Sequence, residues 1–281
     1  MTTLYIINPI SGKGKKRKIA DILKAKGYKV VFTEYAGHAE KLAREATEDI
    51  VVAVGGDGTV NEVARGLIGT NKALGIVPCG SGDGLARHLG LSHNIEKAIR
   101  TIEQGECKQM DAAEVNGRLF FSVCGVGFDA VVSERFAHSG KRGLANYIRQ
   151  GLKTWSNYSP EEYTLEIDGK KIESKALFIT IGNSNQWGNN AKITPLADCC
   201  DGVLDITVVD KFSALELPWL AYRLMTGSVH KSRKVHSYKG RDIRIIRASE
   251  GPAHADGDWF IDSERLHIKI IPSALKVIVA R

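Results

Sequence analysis

The sequence contains no apolar run long enough to cross a membrane, and it passes directly into a strand-like LYIIN without a basic start and a long apolar core. A soluble cytoplasmic chain, or one held peripherally at the inner membrane face, is therefore expected. Cysteine is scarce. Cys79, Cys107, Cys124, Cys199 and Cys200 are odd in number and show neither CxxC nor Cys/His spacing, which argues against a disulfide framework or a zinc site and for reduced thiols. Low-complexity tracts, long repeats and Pro/Ser-rich linkers are also missing, so the parts of the chain should pack closely rather than swing on tethers. The Walker pattern GxxxxGK[ST] is absent, and the main glycine cluster, GGDGTV, is not GxGxxG.

What the chain does have is length for two domains, 281 residues with 43% hydrophobic content. Its net charge of +7 favours acidic partners: nucleotide phosphates, nucleic acid or an anionic membrane surface. The clearest local signal is IVVAVGGDGTVNEVARGL, from Ile50 to Leu67. A β-branched run stops at Gly55-Gly56-Asp57-Gly58-Thr59, after which Val60, Val63, Ala64 and Leu67 recur at helical spacing. Glycines that let an anion approach the amides, beside the positive end of a helix, make a phosphate-holding turn. Asn61 and Glu62 are expected to face the same region, and Asp57 or Thr59 to cap the helix. Otherwise the glycines simply close a tight connection.

The same plan recurs on both sides. Leu4–Ile7 leads into Asn8-Pro9-Ile10-Ser11-Gly12 and a helix; Tyr28–Phe32 leads into Thr33 and another; Leu74–Val77 leads into Gly80-Ser81-Gly82-Asp83-Gly84 and then Leu85-Ala86-Arg87. Strand and helix alternate to about Gln104, as in an open, mostly parallel α/β sheet whose loops converge at one strand edge. Beyond that the chain turns β-rich. Asn116-Gly117 and Asp168-Gly169 each join two strand-like runs, the residue pair that favours a type I′ hairpin. Helices are expected at about 128–136, 143–155 and 213–225. These patterns place an α/β domain at 1–107 and a β-rich, sandwich-like domain at 108–281, with the active-site cleft between them.

Gly55-Gly56-Asp57-Gly58-Thr59-Val60-Asn61-Glu62 resembles the signature of the diacylglycerol kinase catalytic-domain family, which includes soluble bacterial diacylglycerol kinases, sphingosine kinases and ceramide kinases. The resemblance extends through NPxSG at Asn8, Pro9, Ser11 and Gly12, TExxGHA from Thr33, the Pro78–Ala86 loop, GxGFDA at Gly125–Ala130, and PxAxxxDGxLD from Pro195 to Asp205. It implies ATP and Mg2+ as cofactors, with nucleotide contacts from Asn8, Pro9, Ser11, Gly12 and Thr33. Gly56, Asp57, Gly58, Thr59, Val60, Asn61, Glu62 and Ser81 complete that set. The family's Asp-Gly-Glu, whose glutamate is the general base, falls on Asp256-Gly257-Asp258, making Asp258 the base, one methylene shorter, and Asp256 an alternative base or magnesium ligand. By local chemistry alone this is a β-turn.

A structural magnesium in the family maps onto Asp201, Asp198 and Val203; without metal, Asp201 would simply accept turn amides. Asp83 stands where sphingosine kinases have asparagine, and Arg87 could offset its charge beside phosphates. Asp129 falls where an aspartate reads the sphingoid amine, or it caps the helix that follows. The partner implied is a lipid substrate at a membrane surface, a sphingoid base or a diacylglycerol-like alcohol, with no nucleic acid and with a homodimer as the further assembly. The basic run His230, Lys231, Arg233, Lys234, His236, Lys239 and Arg241 follows an apolar helix and could rest on anionic headgroups, or be a solvated strand edge. Two other readings compete. NAD kinases share GGDGT but need a downstream Asn-Glu or Asn-Asp pair that this chain lacks, and a relative that binds without turnover would fit Asp258 and Asp83.

Overall fold

The computed structural model describes residues 1–11, 16–140, 144–155 and 157–281. They form two compact units, residues 1–111 with 273–281, and residues 112–272. Residues 273–281 thus return to the first unit.

The first unit alternates strand and helix: β1 (Thr3–Ile7), α1 (Lys16–Ala25), β2 (Lys29–Phe32), α2 (His38–Glu45), β3 (Ile50–Gly55), α3 (Asp57–Leu67), β4 (Ala73–Pro78), α4 (Gly84–His88) and α5 (Ile95–Gln104). The strands lie in the order β2-β1-β3-β4, all parallel. Every residue of β3 and β4 is buried, which is why their sequences read as unbroken apolar runs rather than as alternation. Tyr5, Ile7, Val52 and Val54 pack with Ile19 and Leu23 of α1 and with Ile99 and Ile102 of α5. Leu4, Ile6, Val51 and Ala53, of opposite parity, are buried as well, so helices cover both faces.

The second unit is almost wholly antiparallel. It comprises the end of β5 (Glu106–Val115), β6 (Arg118–Phe120), β7 (Val123–Gly127), α6 (Phe128–His138), α7 (Leu144–Trp155), β8 (Glu161–Ile167), β9 (Lys170–Ala176), β10 (Phe178–Gly182) and β11 (Leu204–Val209). After these come α8 (Leu217–Thr226), β12 (Val235–Gly240), β13 (Asp242–Arg247), β14 (Gly251–Ala255), β15 (Asp258–Asp262) and β16 (Arg265–Val279). One sheet runs β12-β11-β10-β7-β14-β15. Facing it are β9, β8, β13 and the first part of β16, with β5 and β6 beside them. Val126, Ile179, Ile181, Ile206 and Val208 of one sheet meet Leu165, Ile243, Ile245, Leu266 and Ile268 of the other in a single core. The end of β16 pairs in parallel with β4, Lys276 opposite Ala73.

Asn116-Gly117 and Asp168-Gly169 take positive φ at both positions and close hairpins, as their sequence predicts. Asp256-Gly257 does the same between β14 and β15. Two expected strands are each broken in the middle. The run 118–124 divides at Phe121-Ser122 and 171–181 divides at Leu177, because in both places the chain leaves one sheet and enters the other. No described helix is long and apolar enough to cross a membrane.

Candidate active site

In the first unit the glycine turn and the loop after β4 are built as one piece. A Cβ on Gly80 would lie 2.6 Å from the Cα of Gly56, so two backbones meet where only hydrogen fits. The Asp57 carboxylate crosses to this second loop and accepts the Gly84 amide at 2.7 Å, tying one helix start to the next. Asn8 ties in the first loop: its Nδ2 donates to Thr59 Oγ1 at 3.1 Å and its backbone amide to the Val54 carbonyl at 3.2 Å. Ser11 Oγ donates to the Asn8 carbonyl, and the Thr33 amide to the Ile7 carbonyl at 2.9 Å. Pro9, Gly58 and Ser81 are exposed, and Val60 closes the first helical hydrogen bond to the Gly56 carbonyl. Gly12 lies outside the described residues.

Two residues of the signature turn elsewhere. Glu62 accepts the Ala39 amide at the start of α2, which has no cap of its own, and Asn61 accepts the Arg65 guanidinium one turn on. Neither Asp57 nor Thr59 caps α3, whose N-cap is Gly56.

Asp83 does not point outward as a second charge beside a phosphate. It is buried in the left-handed region at φ 47°, its Oδ1 accepting the Gly80 amide at 3.0 Å and its Oδ2 3.2 Å from His93 Nε2. Burial raises its pKa, against the pull of the Gly80 amide, His93 and Arg87. Arg87 itself donates to the Gly82 carbonyl at 2.9 Å. Both residues shape the loop.

In the second unit Asp129 is 3% exposed and sits inside α6, so it is not that helix's cap. Its Oδ1 accepts the Ala130 amide at 2.8 Å, while Oδ2 accepts Thr180 Oγ1 at 2.9 Å and lies 3.2 Å from His254 Nε2. Only glycine at 125 allows this, since a Cβ there would stand 2.5 Å from Asp129 Oδ2. Asp129 also lies on the wall of an apolar cavity of about 280 Å³ between α6, α7 and α8, lined by Phe128, Tyr147, Trp155, Trp187, Leu220 and Leu224 among others. Burial and the Asp129 charge push the Tyr147 hydroxyl up to about 12, against a Ser133 hydrogen bond, so it stays a neutral donor.

Asp256 and Asp258 part company at their turn. The Asp256 carboxylate accepts the amides of Phe121 and Ser122 at 2.8 Å and of Val123 at 3.0 Å, pinning the place where the chain changes sheets. That is a structural anchor, fully engaged as an acceptor. Asp258, by contrast, is exposed at the first position of β15, and its side chain carries no hydrogen bond among the described residues.

At the third acidic place, Asp198 accepts the Cys200 amide at 3.0 Å and Asp201 Oδ1 accepts the Val203 amide at 3.1 Å. The Asp201 Oδ2 and Asp205 Oδ2 atoms each lie 3.2 Å from the Lys239 ammonium. Two carboxylates thus converge on the one ammonium, and carboxylate oxygens are the donors Mg2+ takes. Burial raises the pKa of Asp205, with Lys239 opposing and Asp201 adding. Asp205 sits beside Asp201 at Lys239, while Asp198 Oδ1 accepts the amide of its own turn.

A model of the diacylglycerol kinase catalytic domain matches residues 2–115, and one of the YegS C-terminal NAD kinase beta sandwich-like domain matches residues 122–279. A diacylglycerol kinase of Mycobacterium tuberculosis (strain ATCC 25618 / H37Rv) is 30% identical over 98% of this chain and 94% of its own. This chain belongs to the diacylglycerol kinase family. The family's members are lipid kinases, enzymes that phosphorylate an alcohol. A diacylglycerol kinase of Bacillus subtilis (strain 168) is 27% identical over 90% of this chain and 88% of its own. A solved diacylglycerol kinase structure from Bacillus anthracis str. Sterne shares the fold, with a TM-score of 0.79 at 22% identity over 99% of this chain and 96% of that one.

The sequence pattern singles out neither Thr180 nor His254, and it places Asp205 only at the end of the DGxLD stretch and Lys239 only in the basic run. His254 precedes the Asp256-Gly257 turn and Asp205 closes the DGxLD stretch, so both stood beside motifs already singled out. Thr180 and Lys239 carry no local signal; a strand partner alone puts each in place.

Proposed function

We propose that this protein is an ATP-dependent lipid kinase that transfers the γ-phosphoryl group to the hydroxyl of a diacylglycerol-like membrane alcohol at the cytoplasmic membrane face. The observation that carries the reading is the apolar cavity of the second unit, with one buried carboxylate on its wall. An apolar pocket with few polar groups suits acyl chains beside a polar head. Asp129 already receives the Ala130 amide, the Thr180 hydroxyl and the His254 ring. Its lone pairs are largely committed, which favours an uncharged acceptor over a sphingoid amine. The relatives named diacylglycerol kinase lie on the same side.

The glycine loops present amides to the phosphates, with Asn8 and Asp57 holding those loops in register and exposed Ser81 contacting the nucleotide directly. Asp258 takes the proton of the attacking hydroxyl, its exposure leaving it open to a ligand. Asp201 with Asp205 would hold a structural Mg2+, and the ion bound with ATP would supply neutralisation of the phosphate charge. The test is incubation with γ-labelled ATP, Mg2+ and a panel of diacylglycerol, sphingosine, dihydrosphingosine, ceramide, undecaprenol and NAD, beside Asp258→Asn. Label in diacylglycerol that the substitution abolishes is the expected result. Nucleotide binding with no labelled lipid would refute turnover, and label in NAD would refute the acceptor class.

A further inference from the structure

Neighbouring side chains in extended backbone point to opposite faces, so two adjacent cysteines seldom meet. At Cys199-Cys200 they do, with the two Sγ atoms 3.8 Å apart. The loop before β11 turns here: the Asp201 amide donates to the Asp198 carbonyl at 3.4 Å and the Cys200 amide to Asp198 Oδ1 at 3.0 Å. The thiols differ in access. Cys200 is exposed, whereas Cys199 is only 1% exposed. An accessible thiol with a second one beside it to resolve its first oxidation product is the arrangement of a peroxide-sensitive site. Cys124, in the same unit, is the contrast. It is buried, and burial with the Asp256 and Asp129 charges pushes its thiol up, which makes it inert.

We propose that Cys199 and Cys200 form a reversible oxidation site, closed to a disulfide by a hydroperoxide and reopened by a thiol reductant. The exposed Cys200 sulfur attacks one peroxide oxygen; the O–O bond breaks, the leaving oxygen departs as water or alcohol with the thiol proton, and a sulfenic acid remains. The Cys199 sulfur then attacks that of Cys200. The S–S bond forms as the S–O bond breaks, and the hydroxyl leaves as water with the Cys199 proton. Each sulfur gives up one electron, and the peroxide takes both. Consecutive Cα atoms are about 3.8 Å apart, below the roughly 4.4 to 6.8 Å of ordinary disulfides, so the closed pair is readily reduced. Closure also twists the peptide whose amide Asp198 holds, one residue from Asp201 and its pairing with Lys239.

The full chain is treated with hydrogen peroxide, denatured in iodoacetamide and digested with trypsin, which releases residues 193–211 with both cysteines in one peptide. That peptide is expected to be lighter by two hydrogens and to carry no alkyl group, and dithiothreitol before alkylation to give two alkyl groups. Cys200→Ser should leave Cys199 reduced and alkylated, and Cys199→Ser should leave oxygen on Cys200 that the reductant does not remove. Wild-type peptide with oxygen on Cys200 and an alkyl group on Cys199 would overturn the proposal. So would two alkyl groups at a peroxide dose that oxidises the Cys199→Ser variant, or a bridge to Cys79 or Cys107. The effect on the neighbouring carboxylates rests on the ion proposed at Asp201 and Asp205. There, oxidation should abolish Mg2+ protection against heat in wild type, reversibly, and leave Cys200→Ser unaffected. Closure without that loss overturns the link to the ion, whereas absence of closure overturns the oxidation site itself.

Discussion

The Asp256 side chain is expected to hold the second unit together rather than to take part in phosphoryl transfer, and Asp256→Ala measures the difference. Three backbone amides, of Phe121, Ser122 and Val123, donate to this one carboxylate at 2.8 to 3.0 Å. Hydrogen bonds to a charged acceptor contribute about 1.5 to 3 kcal/mol each, so even at the lower figure their loss costs about 4.5 kcal/mol. That is a large part of the roughly 5 to 15 kcal/mol that holds a typical domain folded. With a urea slope of about 2.5 kcal/mol/M, the midpoint should fall by about 2 M. All four tryptophans, Trp155, Trp187, Trp219 and Trp259, lie in the second unit, so their fluorescence follows its unfolding. Asp256→Asn keeps the acceptor for Ser122 and Val123 and should fall by less. A wild-type midpoint in Asp256→Ala, with phosphoryl transfer abolished, would refute the anchor and make the residue chemical.

Asp258→Asn should leave that same midpoint unchanged, because the side chain is exposed, while lowering kcat by about 10² to 10⁴; Asp258→Glu should restore turnover, and steady-state kinetics on the labelled lipid checks both. Gly80→Ala should weaken ATP binding measured by calorimetry, since its Cβ would press on Gly56 and Asp83. Asp83 is held with a raised pKa by burial, so the native state keeps its proton to higher pH than the unfolded chain does and stability falls as pH rises through that interval. Asp83→Asn suits the left-handed backbone and should raise the melting temperature at pH 7 while giving little gain at pH 4. Asp205→Asn should weaken Mg2+ protection against heat more than Asp198→Asn does, because only Asp205 faces the Lys239 position.

The parts of the fold legible in the sequence are those decided within a few residues. Buried β3 ending at Gly55 and the Asn116-Gly117 and Asp168-Gly169 hairpins follow from local composition and backbone preference. The sheet changes at Phe121-Ser122 and Leu177 do not, because apolar residues continue through both and the decisive partner of the first, Asp256, is more than a hundred residues away. The candidate site divides in the same way. Glycine turns announce themselves, but which carboxylates are structural depends on distant amides: Asp57 on Gly84, Glu62 on Ala39, Asp256 on Phe121. The cavity is assembled from helices far apart in the chain, and no single segment betrays it.

Because residues 273–281 complete the first unit, with Lys276 and Val277 pairing beside β4, the portion translated first is also the last that can be finished. At typical synthesis rates the gap between making Asp111 and making Val277 is roughly 10 to 30 s. Throughout that time the growing parallel sheet has an unpaired β4 edge, a template for wrong pairing. Removing residues 273–281 should thus harm the unit built on residues 1–111, far from them in sequence.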